Sequence, residues 1–166
     1  MRSHWKITLP IFLVCIAALI GASFFLQKSP APQAGDTSST SSASPFLPAR
    51  EESVALIFRT MNDFADALLS RDFDTFYATF SSAWKQQTTA QEVAAAMEQF
   101  TPFGREVKKS VNASDPYLNA PPVIGAHAVL TLQGFYRIEG TKMLFDLQYI
   151  REKDAWKLFG MDLRVK

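Results

Sequence analysis

Between Ala128 and Lys166, apolar and polar residues alternate with a period of two, and two short polar turns interrupt the alternation. Successive strand side chains point to opposite faces, so this pattern predicts three antiparallel strands with one face covered and one open. In the first strand Ala128, Leu130, Leu132, Gly134, Tyr136 and Ile138 share one face. Val129, Thr131, Gln133, Phe135 and Arg137 share the other. The second strand sets Met143, Phe145, Leu147 and Tyr149 against Leu144, Asp146, Gln148 and Ile150. Glu139-Gly140-Thr141 and Glu152-Lys153-Asp154 read as the hairpin turns.

The third strand changes phase. Trp156 and Leu158 share a face, but beyond Gly160 the apolar set becomes Met161, Leu163 and Val165. A phase shift at a glycine marks a bulge, which bends the strand, and Gly134 offers a second bend. A bent sheet with helices laid across it makes a cone.

Helices are written upstream. Glu51 to Ser70 carries Val54, Ile57, Phe58, Met61, Phe64, Ala65, Leu68 and Leu69 at offsets of three and four, one stripe of an amphipathic helix. Glu51 and Glu52 sit in its first turn, where the helix dipole favours acids. After the polar break Arg71-Asp72, residues Asp74 to Lys85 predict a second helix with Phe73, Phe76, Tyr77, Phe80 and Trp84 inward. Aromatics at that spacing read as core. Thr89-Ala90-Gln91-Glu92 fits a capping box opening a third helix, which runs to about Phe100 and stops at Thr101-Pro102. Arg105 to Asn112 is expected as a weak first strand. Ala113 to Pro122, rich in proline and adjoining an Asn-Ala-Ser sequon, is expected as an irregular connection.

The amino-terminal end points to a membrane. Residues 7–26 are twenty positions without a charge, enough for a helix to span a hydrocarbon core of roughly 30 Å. Arg2 and Lys6 precede the run and Lys28 follows it, so residues 1–6 are expected on the cytoplasmic side and the rest of the chain outside. An uncleaved anchor in the inner membrane is the reading. The alternative is secretion after cleavage near Gly21-Ala22-Ser23, against which Phe24-Phe25-Leu26 continues the apolar run. Residues 27–48 are Ser, Thr, Ala, Pro and Gly with few large apolar groups, the composition of a flexible tether reaching roughly 25 Å. One folded domain is expected over residues 49–166.

Charge narrows the partners. From Arg50 onward 14 Lys or Arg stand against 15 Asp or Glu, a net of −1, which argues against nucleic acid. Cys15, the one cysteine, falls in the apolar run, so the domain has no disulfide or thiol nucleophile.

Three helices followed by a curved antiparallel meander resembles the nuclear-transport-factor-2-like superfamily, a cystatin-like α+β fold. The echoes are Ala67-Leu68-Leu69-Ser70-Arg71-Asp72-Phe73, the end of the second helix at Ser81-Ser82-Ala83-Trp84, and Asp154-Ala155-Trp156-Lys157-Leu158-Phe159-Gly160-Met161 at the last strand. The resemblance implies a helix-lined pocket at the mouth of the cone and a homodimer through the sheet face. It implies no particular activity, since this fold hosts isomerases, dehydratases, binding modules and scaffolds.

If the cone holds a pocket, its candidate polar groups are His127, Tyr136, Asp146 and Tyr149. Each has a plainer reading: a solvated histidine at a strand edge, tyrosines at the margin of a core, and an acid on the wet side of a sheet. Asp63, Asp66, Asp72 and Asp74 around the first interhelical turn read as capping and surface residues. No cofactor is expected, since a lone domain histidine cannot build a transition-metal cluster and no Gly-rich phosphate loop is present. The sequence thus predicts an anchored envelope domain that binds a protein, its own copy or another. A binder of small apolar ligands, or an isomerase-like pocket enzyme, is the alternative.

Overall fold

The computed structural model describes residues 47–166; the expected anchor and nearly all of the expected tether lie outside them. Within them the chain is α+β, with helices first and an antiparallel sheet after. Among the described residues no helix is long and apolar enough to cross a membrane.

Helix α1 (Arg50–Ser70) buries Leu56, Ile57, Met61, Phe64 and Leu68, each Leu, Ile or Phe contributing about 1.5–3 kcal/mol. Its buried stripe is rotated from the expected one. Phe58 and Leu69 are largely exposed, while Ser53, Leu56 and Thr60 are buried in their place. Two of those three are polar, and each has a hydrogen bond that makes burial tolerable: Ser53 to the Ala49 carbonyl and Thr60 to Tyr149. The helix stops at Arg71, whose φ of 60° is left-handed.

The expected second helix is two. Asp72 accepts from the Thr75 amide at 3.1 Å and starts α2 (Phe73–Ala78). Ser81 caps α3 (Ser82–Lys85) by accepting from the Trp84 amide. Between them the backbone abandons helix geometry to join the sheet: Phe80 forms a parallel bridge with Leu158, and the Ser81 amide donates to the Leu158 carbonyl at 2.8 Å. Apolar spacing could not reveal this, because the rings still meet in sequence across the break, Phe76 edge-on to Phe80 and Phe80 stacked on Trp84.

Helix α4 (Ala90–Met97) opens on the full Thr89–Glu92 capping box. A 3-10 segment, Glu98–Phe103, then carries Pro102 inside it, and the chain continues directly into α5 (Gly104–Ala113). The expectation of a strand over Arg105–Asn112 is therefore wrong. Its apolar residues, Val107 and Val111, are four apart and both buried, which is a helix offset rather than an alternation. Helix α5 packs on α1, and Gly104 permits the approach, since a Cβ there would lie 3.1 Å from that of Leu68. Lys108 ties the pair together by reaching Asn62 at 2.8 Å and Asp66 at 2.7 Å.

Two short strands take the place of the expected irregular connection. Strands β1 (Tyr117–Leu118) and β2 (Val123–Ile124) both pair with β3 (Leu130–Ile138). Strand β3 pairs with β4 (Thr141–Glu152), which pairs with β5 (Ala155–Val165), all antiparallel. Ala128, expected in the first long strand, instead belongs to a 3-10 turn at Ala126–Ala128. Alternation on β3 and β4 is as expected: Leu130, Leu132, Tyr136, Ile138, Met143, Phe145, Leu147 and Tyr149 are all buried.

The phase shift of the last strand is a bulge. Gln148 pairs with Gly160 and Tyr149 with Leu158, leaving Phe159 unmatched. Gly134 has a different office: a Cβ there would fall 2.2 Å from the Tyr117 carbonyl oxygen and 2.7 Å from the Phe145 ring. Only glycine lets β1 lie this close.

Candidate functional site

The four candidate residues do not converge. Tyr136 and Tyr149 point to the buried side of the sheet, Asp146 to the opposite side, and His127 lies exposed in the 3-10 turn at a φ of 58°.

Tyr149 is a structural strut. Its hydroxyl lies 2.8 Å from Thr60 Oγ1 and donates within reach of the Leu56 carbonyl at 3.3 Å, joining the sheet to α1. Burial pushes its proton affinity well above the usual tyrosine range, and the hydrogen bond to Thr60 opposes that rise. Tyr136 is buried as completely, but its hydroxyl has no hydrogen-bond partner among the described residues. Burial, with the charge of Asp115 second, raises its pKa in the same direction. Both phenols are therefore held protonated at neutral pH.

Asp146 accepts from the Gln133 amide nitrogen at 2.6 Å, while its Oδ1 reaches neither solvent nor a partner among the described residues. Directly across the β4–β5 ladder stands a second carboxylate, Asp162, to which Arg164 is hydrogen-bonded. The clustered aspartates of the interhelical turn have the plain roles expected of two of them: Asp72 caps α2 and Asp66 pairs with Lys108. Among the described residues no group of three His, Cys, Asp or Glu side chains is placed to hold a metal ion.

Among the grooves of the described surface are two that lie open to solvent. One lies at the β3–β4 turn beside Arg137, Lys142 and Lys166, and the other between α2 and α4 beside Phe73, Gln91 and Glu98. None of the four candidates lines either groove. The space between helices and sheet is filled by side chains of one continuous core, in which Phe64 meets both Phe76 and Phe100 and Tyr136 meets Phe145.

What stands out instead is the sheet face away from that core, which no described element covers. Here Tyr117 stacks on Phe135 at 4.9 Å; the Arg137 guanidinium lies 5.0 Å over the Tyr117 ring and the Lys142 ammonium 4.6 Å over that of Phe135. Such cation–aromatic contacts hold each charge in place at an exposed site, with about 0.5–1 kcal/mol apiece. Alternation alone predicts Phe135 and Arg137 on this face. Tyr117 was not foreseeable, because its strand is two residues long and sits in a proline-rich stretch. No family model, curated protein or solved structure matches the chain.

Proposed function

We propose that residues 49–166 form a non-catalytic interaction module of the nuclear-transport-factor-2-like kind, carried outside the inner membrane by an anchor at residues 7–26 and a tether at 27–48. Its binding surface is the uncovered face of the sheet, and its partner is a protein, a second copy of the chain or another envelope protein. One observation carries this reading: the buried side of the sheet is occupied by core, while the opposite side sets Phe135, Leu144 and Ile150, all half-buried, among ordered charges with nothing described over them. Apolar groups rimmed by polar ones on an uncovered face are the usual mark of a protein interface. Tethering confines such a module to the membrane plane and raises its effective concentration toward partners there.

Photo-crosslinking on membranes carrying the full chain tests it. A crosslinking residue at Gln148, on the uncovered face, should capture a protein, whereas one at Gln99, on the helical side, should not. Equal capture at both, or none at Gln148, would contradict the reading.

A second reading, a binder of small apolar ligands, draws on the buried Tyr136 hydroxyl, which a ligand acceptor would satisfy. It requires the core to open beside Tyr136. An amphiphile that raises the melting temperature of the wild type but not of Tyr136→Phe would favour it; equal shifts in both would remove it.

A further inference from the structure

Three cations meet at one end of the sheet. Arg137 lies near the end of β3, Lys142 near the start of β4 and Lys166 just past β5. The register sets Arg137 opposite Lys142, and Lys142 exchanges backbone hydrogen bonds with Lys166. Neighbouring strands stand roughly 5 Å apart, so the three positions form one row roughly 10 Å long. All three residues are exposed, and with Thr141 and Leu144 they line a groove of about 720 Å³ in which no acidic residue takes part.

Such a row is unfavourable by itself. Like charges directly opposite one another on a sheet are destabilising, and here two such pairs lie side by side. Elsewhere the domain neutralises well-placed cations, Arg164 with Asp162 and Lys108 with Asp66. None of the three in the row forms an ion pair among the described residues. They are nonetheless held in place. The Arg137 guanidinium rests on the Tyr117 ring and the Lys142 ammonium on that of Phe135, and the two rings stack on each other. Thr141 donates its hydroxyl to the Lys166 carbonyl, which fixes the end of β5 beside the middle of the row.

We propose that this groove is a binding site for an anion carrying two linked phosphates, joined either in a small soluble molecule or in a lipid headgroup. The row offers two bridging positions, one between Arg137 and Lys142 and one between Lys142 and Lys166. A phosphate at each is reached by two cations. Arg137 supplies the planar fork that pairs with phosphate oxygens two at a time, and the lysines act as point charges. A single carboxylate bridges one pair and leaves the other repulsion standing. The site does not depend on a protein covering the face: Gln148 lies six residues further along β4, roughly 20 Å from Lys142. Capture of a protein at Gln148 and occupation of the groove are therefore separate outcomes.

The test is amine labelling of the full chain in phosphatidylcholine nanodiscs, read lysine by lysine by mass spectrometry. In one arm pyrophosphate is added; in the other cardiolipin, whose headgroup joins two phosphates, is built into the discs. Labelling of Lys142 and Lys166 should slow severalfold in at least one arm, while Lys153, exposed at the far turn of β4, keeps its rate. Protection by pyrophosphate assigns a soluble ligand, and protection by cardiolipin alone assigns the lipid. Arg137→Gln, an exposed position whose fold circular dichroism checks, should raise the amount of ligand needed by about tenfold or more. Equal slowing at Lys153, or protection indifferent to Arg137→Gln, would overturn the site. So would failure of both phosphate arms; protection by poly-glutamate in that case would assign the row to an acidic protein segment instead.

Discussion

The hydroxyl of Tyr149 on β4 and the hydroxyl of Thr60 on α1 lie 2.8 Å apart inside the core, 89 residues apart in sequence. This contact explains why a threonine occupies the buried stripe of an amphipathic helix, and it fixes where that helix sits on the sheet. Tyr136, on the buried side of the adjacent strand β3, has no hydrogen-bond partner for its hydroxyl among the described residues.

The two tyrosines should therefore respond oppositely to losing an oxygen. Tyr149→Phe deletes one group of a satisfied pair and strands Thr60, and should cost about 1–2 kcal/mol of stability. Tyr136→Phe removes a desolvated, unpaired hydroxyl and should be neutral or stabilising by up to about 1 kcal/mol. Urea denaturation of the two variants measures both; equal destabilisation would contradict the assignment of Tyr149 as the strut.

Gly134 should tolerate no side chain. Its Cβ position is 2.2 Å from the Tyr117 carbonyl oxygen, which is backbone and cannot swing aside. Gly134→Ala should expel β1 from the sheet and cost about 1–3 kcal/mol. Amide exchange should quicken at Asn119, whose N–H donates to Gln133 beside it, while α1 stays protected.

The Asp63 carboxyl has its pKa raised, chiefly by burial and next by the charge of Asp66, against the opposing charges of Arg59 and Lys108. The folded state then holds this proton more tightly than the unfolded chain does. Stability gained at low pH is lost as pH rises through the folded pKa, so ionised Asp63 is a burden at neutrality. Asp63→Asn should raise the melting temperature at pH 7, with the advantage shrinking as pH falls through the raised folded value and gone only well below the ordinary aspartate range, where the wild-type carboxyl is protonated in both states. A gain independent of pH would contradict this.

Glu92 has the opposite sign. Hydrogen bonds from the Thr89 amide and hydroxyl, then from Thr88, hold its carboxyl below the usual range. The capping box therefore stabilises above the unfolded glutamate pKa and is lost as pH falls through the lowered folded value. Thr89→Ala should cost about 1 kcal/mol at pH 7, and thermal melts should show the difference from wild type narrowing in acid.

The long elements of this fold are legible in the sequence because their patterns are repeated. Alternation over β3 and β4 identifies Leu132 and Phe145 as inward and Gln133 and Asp146 as outward, as found. The glycine-linked phase shift locates the bulge to within one residue. What is not legible depends on contacts with distant backbone. Phe80 leaves its helix because Leu158 offers a bridge, and β1 exists because Gly134 admits it. Helix α5 is not legible because two valines in eight residues carry too little periodicity. The same holds for function: His127 and Asp146 qualify by residue type, whereas separation onto different faces emerges only from the assembled sheet.

The most direct test of the account is the mass of the full chain in detergent micelles, measured by sedimentation for the wild type and for Leu144→Glu. Two copies per particle for the wild type and one for Leu144→Glu, with an unchanged circular dichroism spectrum, is the predicted result. A dimer indifferent to a charge at Leu144, or a single-copy wild type that crosslinks to no other protein from this face, would contradict the claim that the uncovered sheet face is the domain's binding surface.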